Sequence, residues 1–191
     1  MSKCMLSGRM AFPHIFSPRK NDNGDEKYEL TLLVNPNDPC VKKYLAECLR
    51  MAAEKFGGEV EAKRILAKRP IWKKGDDKPN PPQGYEGMLY ITIRSKEMPD
   101  FYSADRKHLT LEQAKKLLYP GCFVNLISSP WCYDSKGNRG VSHELISIQF
   151  AAHGDAFSGR PQSSAEDFPD LSVGGSDAFN GGISESVDDL L

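Results

Sequence analysis

Residues 154–191 hold Asp155, Glu166, Asp167, Asp170, Asp177, Glu185, Asp188 and Asp189 against Arg160 alone, a charge of −7 over the last 38 residues. Residues 1–153 carry 24 Lys and Arg against 18 acids, or +6. The formal total of −1 therefore hides a basic body and an acidic end. Six glycines and seven serines share that end with apolar residues that follow neither a 2.0 nor a 3.6 period. Such a segment buries too little apolar surface to offset the entropy of ordering, so residues 154–191 are predicted to be a flexible tail.

A flexible chain of that length spans roughly 35 Å, enough to fold back over the body or to reach a second protein. Its tip places Asp188, Asp189 and the terminal carboxylate around Leu190 and Leu191, which suits a basic pocket with an apolar floor in a protein partner. Charge alone is also compatible with a purely solubilising tail. The functional reading is a polyanion mimic that competes for the body's own binding groove until nucleic acid displaces it.

The remaining body of about 150 residues is one domain's worth, able to bury roughly two-thirds of its unfolded surface. Cys4, Cys40, Cys48, Cys122 and Cys132 are an odd set without a CxxC pair, and the four histidines lie apart from them. Reduced thiols in a cytoplasmic protein are expected, without metal or disulfide. No membrane-length apolar run and no signal-peptide pattern is present, so no membrane partner is expected.

Residues 5–12 and 28–34 read as strands, separated by a polar turn-rich loop over 17–25. Asp38, Pro39 and the Gly57-Gly58 pair punctuate a helix whose Val41, Leu45, Cys48, Leu49, Ala52 and Phe56 share a face. A shorter helix follows over 59–67, and residues 63–78 form the most basic stretch, read as a helix end and an exposed loop. Residues 87–96 form a strand with Leu89, Ile91 and Ile93 on one side and Tyr90, Thr92, Arg94 and Lys96 on the other. Thr110 and Gln113 form a capping box for a two-turn helix. Two final strands, 122–133 and 141–151, join through a turn over 134–138, with Ile146, Ile148 and Phe150 pointing to one side.

About five strands with inserted helices suit a mainly β fold, a small, partly open β-barrel. Rings stand beside cations at Trp72 with Lys73 and Lys74, Tyr90 with Arg94, Tyr102 with Arg106 and Lys107, and Trp131 and Tyr133 with Arg139. Single-stranded nucleic acid requires that combination, since unstacked bases offer π-faces and phosphates require cations. Each ring also has a packing reading: Tyr90 at a barrel edge, Trp72 as a plug at its end. Enzyme readings lack an anchor, because no Walker loop, GxGxxG, HExxH or GxSxG occurs. Glu61-Ala-Lys63 has the carboxylate-x-lysine spacing of some metal-dependent nucleases but falls in a predicted helix. A nuclease, and an adaptor for an acidic protein, stand as the alternatives.

Five runs, taken in order, resemble the OB-fold single-stranded DNA-binding proteins of tailed bacteriophages, a group that includes the helix-destabilising proteins of phage replication. They are Pro70-Ile-Trp-Lys-Lys-Gly75-Asp76, Gly84-Tyr85-Glu-Gly87, Tyr119-Pro-Gly121, the strand over 140–150, and Gly154-Asp-Ala-Phe-Ser-Gly159-Arg160. The resemblance implies a five-stranded OB barrel that binds single strands without sequence preference, and an acidic tail that contacts replication or recombination proteins. Together with the missing enzyme motifs, this gives the expectation of a non-enzymatic protein without a cofactor, cytoplasmic (in the host cytoplasm if it is phage-encoded), with a homodimer left open. Trp72, Lys73, Lys74, Tyr90, Arg94, Tyr102 and Arg106 are the matching positions expected to touch DNA, to which the residue reading adds Lys107, Trp131, Tyr133 and Arg139. The family tip often ends in an aromatic residue, whereas this chain ends in Leu190-Leu191.

Overall fold

One-sided burial forces apolar and polar side chains to alternate along a strand, as Leu89–Ser95 does, whereas residues 30–34 are buried on both sides. The computed structural model describes residues 2–20 and 24–157. In chain order these form β1 (Cys4–Lys20), β2 (Glu26–Val34), α1 (Pro39–Phe56), α2 (Glu59–Lys68), β3 (Lys73–Lys74), β4 (Leu89–Ser95), β5 (Asp100–Tyr102), α3 (Leu111–Leu117), β6 (Phe123–Ser135) and β7 (Asn138–Ala152).

β1 pairs antiparallel with β2 and β6, β2 with β4, and β6 with β7. A parallel bridge between Arg94 and Glu144 brings β4 to β7 and closes a five-stranded barrel of β1, β2, β4, β7 and β6. That connectivity is the OB topology. β5 carries the β4 edge onward along β7, pairing Asp100 with Ser147 and Tyr102 with Gln149. Inside the barrel Leu6, Met10, Leu30, Leu32, Ile93, Leu126 and Ile148 are fully buried, each contributing about 1.5–3 kcal/mol.

Local punctuation sets the helices. The Asp38 carboxylate accepts from the Cys40 N–H at 2.8 Å, Pro39 opens α1, and Gly57 ends it in the left-handed region. Thr110 and Gln113 cap α3 reciprocally. α1 turns Val41, Tyr44, Cys48 and Ala52 inward, and the buried Tyr44 hydroxyl meets Ser128 Oγ at 3.1 Å and His143 Nδ1 at 2.9 Å. All five cysteines are free thiols.

Lys73 and Lys74, read as part of a loop, pair with β4 as β3, and three further segments differ from expectation. β1 continues through bulges to Lys20, so residues 17–20 belong to a strand paired with Glu26 and Lys27 instead of a loop; residues 21–23 lie outside the described residues. The β6–β7 turn is only Lys136-Gly137, both with positive φ, which matches the strand twist better than the wider turn read from composition. Ile146 is the extra residue of a bulge opposite Ile127 and Ser128, so Leu145 takes the inward place beside Ile148 and Phe150.

Residues 154–157, the first of the acid-rich stretch, lie against the barrel. The Phe157 N–H donates to the Pro120 carbonyl at 2.9 Å, and the Gly154 N–H donates to the Tyr119 hydroxyl at 3.1 Å. The rest of the expected tail lies outside the described residues, as do Asp188, Asp189, Leu190 and Leu191. Among the described residues no helix is long and apolar enough to cross a membrane.

Candidate nucleic-acid interface

β4 turns Ile91 and Ile93 into the core, so the strand's period of two sends Tyr90, Thr92 and Arg94 to the outer surface. There they border a cleft of about 410 Å³ with Lys68 and Arg69 from the end of α2, Lys73 from β3, and Tyr133 and His143 from the β6–β7 hairpin. Four cations line this cleft and no carboxylate does. Lys68 and Lys73 make no ion pair among the described residues, whereas Arg69 donates to the Tyr133 hydroxyl at 2.9 Å. Tyr133 lies flat across its strand partner Gly140, where any Cβ would collide with the phenol.

Arg94 donates to Glu29 at 2.6 Å, and Arg19 reaches the same carboxylate at 3.3 Å. Burial would raise the Glu29 carboxyl; Arg94 and Arg19 outweigh it and hold the group below the ordinary carboxylate range. Two cations thus share one acid, and the pair keeps a positive surplus.

A second segment shapes this surface. Residues 75–88 fold over the outside of β1, β2 and β4, where Tyr85 is 2% exposed against Ala11 and Leu33 and lies 5.3 Å from the Tyr90 ring. Lys78 Nζ stands 5.3 Å from the Tyr85 centroid and 5.0 Å from that of Tyr90. Leu33 and Thr31, outward by strand period, are buried by this cover. Tyr85, Lys78 and Arg9 were not among the expected site residues. The available signal was the dense turn chemistry around Pro81-Pro82 and Gly84, which marks a loop without saying what it covers.

The expected residues divide into groups. Lys73, Tyr90, Arg94 and Tyr133 meet in the cleft. Trp72 instead donates its indole N–H to the Val41 carbonyl at 3.3 Å and sets its ring edge-on to Tyr44, fastening β3 to α1. Lys74 is exposed on β3 opposite Leu89. Trp131 is 47% exposed, 6.0 Å from the Tyr133 ring. Arg139 lies in an adjoining cleft of about 310 Å³ reached through Lys68 and Arg69, where Asp134 at 2.9 Å and Glu61 at 3.8 Å engage it. Tyr102 and Arg106 line a separate cleft with Met5, Asn125, Ile127, Ser147 and Gln149, sharing no residue with the first, and Lys107 is paired with Asp105 at 2.7 Å. Sequence adjacency suggested one surface; the break between β4 and β5 makes two.

Glu61 sits in α2 and pairs with Arg64 at 2.8 Å. Among the described residues no group of three or more His, Cys, Asp or Glu side chains could hold a metal ion.

Burial pushes the His143 imidazole down to about 4, so at neutral pH the cleft floor carries no charge of its own. Unfolded histidine takes up a proton near pH 6.5. The contribution to stability is therefore complete above pH 6.5 and declines as pH falls toward 4. Urea unfolding at pH 7 and pH 4 should show a stability loss about 2–3 kcal/mol larger for the wild type than for His143→Gln. Equal losses would mean the imidazole protonates in the folded chain as freely as in water.

The phage Enc34 family of single-stranded DNA-binding proteins, described from Enterobacter phage Enc34, matches residues 4–178. Putative protein p50 of Acyrthosiphon pisum secondary endosymbiont phage 1 is 31% identical over 172 residues, covering 86% of this chain and 91% of that protein. The single-stranded DNA-binding protein of bacteriophage Enc34 in complex with single-stranded DNA superposes with a TM-score of 0.69 at 24% identity, over 82% of this chain and 89% of that one. The bacteriophage T7 single-stranded DNA-binding protein gp2.5 superposes with a TM-score of 0.51 at 14% identity, over 87% and 93% of the two chains. The fold is thus shared with phage proteins of this kind, and the family match and the p50 relationship place the chain more closely: it belongs to the Enc34 single-stranded DNA-binding protein family.

Proposed function

We propose that the protein binds single-stranded DNA without sequence preference and acts, without catalysis or cofactor, as a coating protein in phage DNA replication or recombination. The observation that carries this reading is the carboxylate-free cleft on β4, where Lys68, Arg69, Lys73 and Arg94 surround the rings of Tyr90 and Tyr133. Phosphates meet cations there while unpaired bases meet ring faces, and stacking on a ring accepts every base. Membership in a family described by its DNA-binding member supports the same reading.

Tyr90 and Tyr133 are assigned to base stacking, and Lys68, Arg69, Lys73 and Arg94 to phosphates. Tyr102, Arg106 and Lys107 would engage only a strand long enough to wrap to their face. The acidic segment ending in Asp188, Asp189, Leu190 and Leu191 is assigned to protein partners of replication or recombination, and to competition with DNA for the basic cleft.

Titration of the intrinsic fluorescence of Trp72 and Trp131 with oligothymidylate tests the proposal. Affinity should fall with salt with a log–log slope of magnitude about 3–4, as for roughly five phosphates neutralised on a single strand. A chain ending at Phe157 should bind more tightly, because the competing polyanion is gone. A salt-independent affinity, or equal affinity for duplex, would reject the cleft.

A further inference from the structure

The ring and cation pairs of the cleft do not stop at Tyr90. Beyond it Lys78 stands over Tyr85, and beyond Tyr85 the Arg9 guanidinium lies 4.2 Å from the centroid of Phe157. The Cε1 and Cζ end of the Phe157 ring presses on Gly84, where any Cβ would collide with it. A flat six-membered ring is therefore held by a guanidinium over it and by a glycine that leaves room for its edge. Arginine and open backbone receive a nucleobase in the same way, by stacking that ignores base identity. Among the described residues Arg9 meets no carboxylate: it donates to the main-chain carbonyls of Gly121 at 3.1 Å and Asp155 at 2.6 Å.

Residues 154–157 belong to no strand or helix; they are held by the Phe157 and Gly154 amides, by the Tyr119 hydroxyl donating to the Gly154 carbonyl at 2.9 Å, by Arg9, and by the packing of the Phe157 ring on the cluster of Ala11, Leu33 and Tyr85. A segment with few bonds outside any ladder opens at low cost. Nearby, Phe12 is 56% exposed with φ of 46°, a conformation unfavourable for a bulky residue, and its ring stands 6.2 Å from that of Tyr85. The β1 bulge between Ala11 and His14 thus leaves an exposed ring beside the slot, where a second base could stack.

We propose that Arg9, Gly84 and Tyr85 form a nucleobase subsite at the far end of the cleft, occupied in the free protein by the chain's own Phe157, and that an unpaired base of single-stranded DNA takes the ring's place. This rests on the reading of the β4 cleft as a DNA track. On binding, Arg9 exchanges the Asp155 carbonyl for a phosphate, and residues 154–157 leave the barrel.

Two measurements on the full chain test it. Phe157→Ala should bind oligothymidylate about 3- to 10-fold more tightly with an unchanged salt slope, because an apolar plug and not a charge has been removed. Unchanged or weaker binding by the folded variant overturns the subsite. In the wild type, chymotryptic cleavage after Phe157, identified by mass, should accelerate at least about threefold at saturating oligothymidylate, as the fraction of opened strap rises. Cleavage that slows or stays constant overturns it even where the variant does not fold. Failure of the wild type to bind single strands at all would instead reject the track on which the subsite depends.

Discussion

Tyr90→Ala should weaken binding to oligothymidylate by about 1–3 kcal/mol, a loss of roughly 5- to 150-fold. Tyr90 sits on β4 between Leu89 and Ile91, paired with Leu33, with its ring beside Tyr85 and Lys78 and bordering the cleft. Its position is fixed by these neighbours, so a base stacking on it from the cleft pays little further ordering entropy. Alanine removes the platform and leaves Arg94 and Lys73 as point charges, which hold phosphates without orienting bases. The half-buried ring also packs, so some thermal stability is lost as well. Tyr90→Phe separates the two effects: it keeps the π-face and the packing and should retain both affinity and stability. A fall in melting temperature with affinity intact in the alanine variant would return the ring to a packing role.

How much of this site could be read in advance follows from how local each cause is. The alternation that points Tyr90 and Arg94 outward is a property of seven consecutive residues, and the capping of α1 and α3 depends on side chains within three or four positions. Those elements were legible. The cleft is not local: Lys68 and Arg69 come from a helix end, and Tyr133 from a hairpin 64 residues further on, placed by a two-residue turn and flattened over Gly140. Trp72 carries every outward mark of a stacking residue, flanked by Lys73 and Lys74, yet a hydrogen bond to Val41 commits its indole to α1. Conversely, Tyr85 stood inside a family-like motif without any cation adjacent in sequence; Lys78 reaches it through the folded loop. Tyr102 and Arg106 show the opposite limit, since β5 continues along β7 to a different face although only a few residues separate it from β4.

Gly75→Ala is expected to cost about 3 kcal/mol of folding stability, at the upper end of overpacking effects, and to weaken DNA binding with it. The backbone of Gly75 is not in the left-handed region; what matters there is distance. A Cβ would collide with the Tyr85 carbonyl oxygen and lie 2.8 Å from the Tyr85 carbonyl carbon. Both atoms are backbone, so no rotamer change relieves the clash, and the two segments must separate. Their separation breaks the Gly75 N–H to Met88 carbonyl bond at 2.8 Å and lifts Tyr85 from Ala11 and Leu33. Lys78, whose amide donates to the Gly75 carbonyl at 3.2 Å, moves away from Tyr90 at the same time. Gly87→Ala supplies the comparison, because open space surrounds Gly87 and only its φ of +66° resists a side chain, at about 1 kcal/mol. Urea unfolding of the two variants, with oligothymidylate titration alongside, should therefore rank Gly75→Ala well below Gly87→Ala on both axes. Equal stabilities would mean that the 75–88 segment is not pinned to the barrel at Gly75, and the ring track across the outer face would lose the contact that keeps Tyr85 and Lys78 in line with Tyr90.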